Sequence, residues 1–116
     1  AQRCAGTVPP ALEMQAHSAP LGMVFYEGDQ FPDEYRGDLF IAFHGSWNRS
    51  ERTGYKVVRV RVEDGRPVSY EDFATGWLTG SGSVRGRPVA VEVGPDGSLY
   101  ISDDGAGRIW RARWTR

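Results

Sequence analysis

The chain has 116 residues, 40% hydrophobic and 12% aromatic, with a formal net charge of −1. That length suits one ordinary domain, and the apolar content is enough for a core, which excludes wholesale disorder. The near-neutral balance gives no electrostatic basis for binding nucleic acid or an anionic membrane, and no apolar run approaches a membrane span.

Residues 1–20 hold Pro9, Pro10 and Pro20 with little alternation and read as an irregular lead-in. They lack the basic-then-apolar pattern of a signal segment. Cys4 is the only cysteine, so no disulfide closes within the chain; it is either a plain thiol or the partner of a segment outside it. Leu21 to Tyr26 is a short apolar run that predicts an inner strand. Glu27 to Gly37 is polar and reads as a loop, its Asp29, Asp33 and Glu34 solvated together with Asp38. Leu39 to Phe43 predicts a buried strand, and Lys56 to Val62 alternates with period two, as expected of a strand nearer the solvent. Asp64-Gly65 marks a turn and Tyr70 to Trp77 an outer strand. Pro88 to Val93, Leu99 to Ser102 and Ile109 to Trp114 predict three more strands, and nothing repeats at helical spacing.

One short pattern occurs twice. Gly37-Asp38-Leu39-Phe40-Ile41-Ala42-Phe43-His44-Gly45 resumes at Lys56 to Arg61, and Gly97-Ser98-Leu99-Tyr100-Ile101-Ser102-Asp103-Asp104-Gly105 resumes at Arg108 to Arg113. Paired strands repeated in a Gly-rich chain are a mark of propeller architecture, one repeat to a blade. The fold class is therefore all-β: two blades, about seven antiparallel strands, of a β-propeller. Residues 1–20 form the lead-in, 21–80 the first blade, and 81–116 a second, three-stranded closing blade. Two isolated blades expose apolar faces and strand edges, which predicts either self-association, three copies completing a ring, or the remaining blades of a longer chain.

The two copies differ mainly in one loop. The second crosses with Ala106-Gly107, whereas the first inserts Ser46 to Tyr55. An insertion confined to one loop marks the working face. Within a blade, the loop entering the inner strand and the loop joining the second and third strands open on the same face. His17 and Ser18, Arg85 and Arg87, His44 to Arg49, and Asp103-Asp104 all fall there. Arg85 and Arg87 stand two apart, so on an extended segment they point the same way. Asp103-Asp104 before a Gly suits a turn or cap better than a calcium site, and no second ligand at a telling spacing makes His44 a metal ligand. Asn48-Arg49-Ser50 matches the glycosylation tripeptide, a pattern short enough to arise by chance.

The blocks His17-Ser18-Ala19-Pro20-Leu21-Gly22 and Phe40-Ile41-Ala42-Phe43-His44-Gly45-Ser46-Trp47-Asn48-Arg49 resemble a known family, and Arg85 to Ala90 and Gly94 to Tyr100 continue the match. The likeness spans most of residues 12–114. It is to the C-terminal part of the sorbosone dehydrogenase-like and soluble aldose dehydrogenase enzymes, six-bladed quinoproteins that oxidise sugars with pyrroloquinoline quinone (PQQ). The resemblance implies a periplasmic or secreted oxidoreductase with a small-molecule sugar substrate and hydride transfer to the quinone. It also implies a calcium ion polarising the quinone carbonyls and a histidine base, both held by earlier blades and so absent from this chain.

PQQ carries three carboxylates on a flat ring, so its holder needs cationic donors and a surface to pack on. Arg85 and Arg87 offer forks matched to carboxylates. His17 stands where the family places a PQQ contact, or else pins its loop to backbone. His44 lines the cofactor or is a hydrogen-bonded structural histidine. Trp47 either floors a sugar site or packs the loop on the next blade. Asn48 and Arg49 fix the loop, and the family's basic contact to PQQ comes from this neighbourhood. The expected cofactor-binding set is His17, His44, Asn48, Arg85 and Arg87, with no catalytic residue. The rival expectation is a propeller without redox chemistry that holds a glycan or protein partner.

Overall fold

The computed structural model describes residues 6, 8–46 and 52–115. Cys4 lies outside them. Among the described residues seven strands form two antiparallel sheets. The first sheet orders β1 (Pro20–Phe25), β2 (Leu39–Phe43), β3 (Lys56–Glu63) and β4 (Arg66–Ala74); the second orders β5 (Pro88–Val93), β6 (Leu99–Asp103) and β7 (Arg108–Ala112). One 3-10 turn, Asp33–Tyr35, interrupts the loop after β1. Among the described residues no helix is long and apolar enough to cross a membrane.

Several strand ends differ from the sequence reading, each for a local reason. Asp64 (φ 51°) and Gly65 (φ 76°) both take the left-handed conformation. That is the geometry of a two-residue hairpin turn, so pairing starts at once with Glu63 opposite Arg66 and β4 begins four residues before Tyr70. β4 ends at Ala74, and Trp77 leaves the sheet to pack on Trp110 of the second sheet, ring centroids 6.1 Å apart. β7 stops at Ala112 because its partner β6 runs out at Leu99. Trp114 instead reaches back, its amide donating to Gln30 Oε1 at 2.7 Å and its ring 5.7 Å from Tyr35.

The sheets face each other across the main core. Tyr26, Phe40, Ala42 and Val57 of the first unit meet Val91, Leu99 and Ile101 of the second. Alternation along β2 and β6 puts these side chains on one side and leaves the next residues to the other. Phe40 packs edge-on against Phe73 and against Tyr26, at 4.6 and 6.1 Å. The inner strands β1 and β5 approach backbone to backbone: a Cβ on Gly22 would lie 2.6 Å from Ala90 Cα. Only glycine permits that approach. Behind the first sheet, Ile41, Phe43, Val58 and Val60 form a second cluster that Leu12 and Met14 of the lead-in pack against. The lead-in is irregular, yet it closes a core. β1 is less buried than an inner strand was expected to be, with Leu21, Met23 and Phe25 each at least half exposed on the face away from β5.

β3 corrects the sequence reading most clearly. Its charged side was expected in solvent, and Asp38 with it, but Arg59 and Asp38 are both buried. Arg59 Nε donates to Asp38 Oδ2 at 2.7 Å, Nη2 to the Glu34 carbonyl at 3.0 Å, and Nη1 to Glu71 Oε1 at 3.3 Å. Its guanidinium lies 3.8 Å from the centre of the Tyr35 ring. The other Asp38 oxygen accepts the Val62 amide at 2.9 Å. A pair this fully hydrogen-bonded can be buried, and removing one partner costs about 3–5 kcal/mol because the other is left charged and dry. The loop folding back over β3 excludes the water that alternation alone would have left there.

Candidate functional site

The starts of β1 and β5 and the ends of β2 and β6 meet at one rim. β2 hands its last hydrogen bonds to the segment before β1: the His44 amide donates to the Ala19 carbonyl at 3.0 Å and the Gly45 amide to the Ser18 carbonyl at 3.1 Å. The His17-Ser18-Ala19 turn is held open unusually, with φ of 64° at His17 and 52° at Ala19. Such backbone persists only where its surroundings enforce it. Here Ser18 is buried, its hydroxyl 3.5 Å from that of Thr53, and Thr53 Oγ1 donates to Gln15 Oε1 at 2.6 Å. Thr53 and Ser46 tie the two arms of the long loop together, amide to carbonyl and amide to hydroxyl at 2.9 Å each. The Tyr55 hydroxyl donates to the Ser46 carbonyl.

The second sheet grips this rim through charge. Arg87 Nε and Nη2 donate to the carbonyls of His44 and Gly45 at 3.4 Å, and its guanidinium sits 5.6 Å from the centre of the Tyr55 ring. His44 Nε2 and Asp104 Oδ1 are 2.8 Å apart. His44 is mostly covered, with a fifth of its side chain exposed, whereas Asp104 stands largely in solvent.

Asp103 organises the second sheet's share of the rim. Its Oδ1 accepts the amides of Arg87 at 2.7 Å and of Gly105 and Ala106 at 3.0 Å, and its Oδ2 accepts the Trp110 indole N–H at 3.0 Å. Burial opposes ionisation of this carboxyl. The bonds from Trp110 and then from the Arg87, Ala106 and Gly105 amides together outweigh it and hold the group below its ordinary range. Asp103 is thus a turn and capping residue. Among the described residues no group of three or more His, Cys, Asp or Glu is arranged to hold a metal ion.

Arg85 and Arg87 do not sit side by side on an extended segment as expected. Gly86 between them is pressed onto Asp103 and Trp77, a Cβ there falling 2.1 Å from Asp103 Oδ2. The chain bends at Arg85, whose amide donates to the Trp77 carbonyl at 2.6 Å. Arg87 is half-buried against the first sheet; Arg85 is exposed, its guanidinium making no ion pair or hydrogen bond among the described residues. His17 is exposed beside the buried Ser18. Asn48, Trp47, Arg49 and the tripeptide Asn48-Arg49-Ser50 lie outside the described residues. The structure thus joins His44 directly to Arg87 and places the backbone of His17 one residue from the same rim. Sequence reasoning missed Asp104 as the partner of His44 and Tyr55 as the surface under Arg87; no local motif signals either.

These groups suit a flat polyanion. Arg87 has N–H donors beyond the two its carbonyl partners engage, Arg85 is open to solvent, and no carboxylate other than Asp104 and the fully bonded Asp103 joins the described rim. A cleft of about 480 Å³ at the opposite ends of β1 and β5 has the reverse character: Glu27, Asp29, Glu92 and Asp96 line it. Four carboxylates there repel an anionic ligand.

The TrAA12-like family model matches residues 1–114. An uncharacterized protein of Borreliella burgdorferi is 40% identical over 111 residues, covering 94% of this chain and 29% of that protein. The pyrroloquinoline quinone-dependent pyranose dehydrogenase of Coprinopsis cinerea is 32% identical over 125 residues, covering 91% of this chain and 16% of that enzyme. The holo form of its PQQ domain superposes with a TM-score of 0.76 over 96% of this chain and 31% of that chain, at 32% identity. A glucose dehydrogenase structure follows at a TM-score of 0.69, with 27% identity over 96% of this chain and 28% of that one. The chain therefore spans less than a third of the length of each of these relatives.

Proposed function

Because the chain belongs to the TrAA12-like family, we propose that it supplies part of the PQQ-holding face of a sugar-oxidising dehydrogenase. The observation that carries this reading is the rim itself, where Arg87 donates to the His44 carbonyl across the two sheets with N–H groups left over, and His44 meets Asp104. In this reading Arg87 and Arg85 clamp carboxylates of the cofactor, and Asn48 and His17 complete the cradle. His44 lines the cradle between them. When bound, PQQ supplies the quinone that takes a hydride from the sugar; calcium, which assists it, is held by other blades. Residues 21–80 act as one blade and 81–116 as the next, working with the remaining blades of a ring or with further copies of the chain. The substrate belongs to the aldose or sorbosone-like class, and the enzyme works in the periplasm or outside the cell.

Titration of the chain with PQQ, followed by quenching of tryptophan fluorescence, tests the reading. Saturable binding that weakens when Arg85 and Arg87 are both replaced by alanine, with the circular dichroism unchanged, is the expected result. No binding, or affinity indifferent to both arginines, would remove the cofactor role and favour a propeller that holds a glycan or protein partner.

A further inference from the structure

We infer that Asp104 is a positioning residue for His44, fixing which ring nitrogen carries the hydrogen and how the imidazole stands at the rim. The inference rests on the reading of His44 as a cofactor-lining group. Its observation is separate: a 2.8 Å bond between His44 Nε2 and Asp104 Oδ1 across the seam of two sheets, between residues 60 apart in the chain.

A carboxylate has only lone pairs to offer, so the hydrogen in this bond belongs to Nε2. In the neutral ring Nδ1 is then left as an acceptor; Nδ1 turns donor only in the imidazolium form. Asp104 therefore decides which chemistry His44 presents: acceptance from a hydroxyl in one state, donation to a carboxylate in the other. Without it the ring is free to exchange tautomers.

The backbone around His44 is already fixed, which makes the side-chain bond the remaining degree of freedom. The His44 amide is bonded to Ala19 and its carbonyl to Arg87. Asp104 itself is held by its own amide, which donates to the Arg87 carbonyl at 3.3 Å. Arg87 thus links to both members of the pair. As an ion pair near solvent the contact adds little stability, so its consequence is orientation rather than folding.

Long-range proton–nitrogen spectra of the unliganded chain test this, with the two histidines distinguished by His44→Gln. The wild type is expected to show His44 with its hydrogen held on Nε2. Asp104→Ala is expected to show an average over both tautomers and a PQQ affinity lower by about fivefold. Asp104→Asn keeps a carbonyl oxygen as acceptor and should recover most of both. Asp104→Ser, too short to reach the ring, serves in place of alanine should that variant lose its circular dichroism signal. An unchanged His44 spectrum without the carboxylate overturns the inference, whether or not the chain binds PQQ. A changed spectrum with unchanged affinity overturns it as well. A wild-type chain that binds no PQQ would defeat the proposed function, while the spectra would still decide whether Asp104 holds the ring.

Discussion

The two rims of the seam between the sheets are built from different chemistry. At the far rim the Tyr26 hydroxyl donates to the Gly97 carbonyl at 2.8 Å and accepts the Phe31 amide at 3.0 Å, all three groups buried. Gln30 adds bonds from its amide nitrogen to the Asp96 carbonyl and the Ser98 hydroxyl, at 3.1 and 3.0 Å. These partners are a phenol, an amide and backbone groups, and the carboxylate beside them, that of Asp96, is taken up by the Ser98 amide and hydroxyl. At the near rim the partners are Arg87, His44 and Asp104, charged or chargeable groups with hydrogen-bonding capacity left over. A clasp that satisfies itself holds two sheets together. A clasp with donors to spare can also hold something else.

If that contrast is right, damage at the far rim should appear in stability and damage at the near rim in binding. The largest effect is expected from Tyr26→Phe, which strips a buried carbonyl and a buried amide of their partner. It should lower the unfolding free energy by about 2–3 kcal/mol in urea denaturation while leaving affinity of the folded chain for PQQ unchanged. A drop in affinity in that variant would break the division of labour. Arg87→Ala should do the reverse, weakening PQQ binding by about tenfold or more in a fluorescence titration and changing stability by less than about 1 kcal/mol.

Asp103→Asn sharpens the comparison through pH, because Asp103 is the self-satisfied scaffold beneath the near rim, where stability rather than binding should respond. Its carboxyl titrates below the ordinary value of 3.8 in the folded chain, so its stabilising contribution is complete above that value and is lost as pH falls through the lower, folded one. Wild type should exceed the variant by about 1–2 kcal/mol at neutral pH, the difference shrinking only in the acid limb. A gap independent of pH down to acid unfolding would show that the charge is irrelevant there. The smallest effect is expected from His44→Gln, a loss of PQQ affinity of about fivefold, no less than that of Asp104→Ala, with unchanged thermal unfolding.

Much of the fold was legible in the residues. Leu39 to Phe43 and Leu99 to Ser102 are apolar runs bounded by turn formers, and the structure has strands at both. The restart of the pattern after Gly97 announced the second sheet. The placement of His44, Arg87, Asp103 and Asp104 at one rim followed from topology, since alternate connections of an antiparallel meander open on the same side. What escaped was decided between segments. Arg59 and Asp38 looked like solvent-facing charges because nothing in their own strands shows that the loop carrying Tyr35 folds over them.

The order and number of strands, the turns and the identity of the chargeable groups were set by local sequence, because backbone stereochemistry and period-two burial act over a few residues. Which of those groups touch was left to the folded chain. Gly22 against Ala90, Trp77 against Trp110 and His44 against Asp104 are contacts between residues at least 33 positions apart. Such pairs form only when two sheets, each with an apolar face it cannot bury alone, close on each other, and that closure is a property of the whole packing rather than of any segment in it.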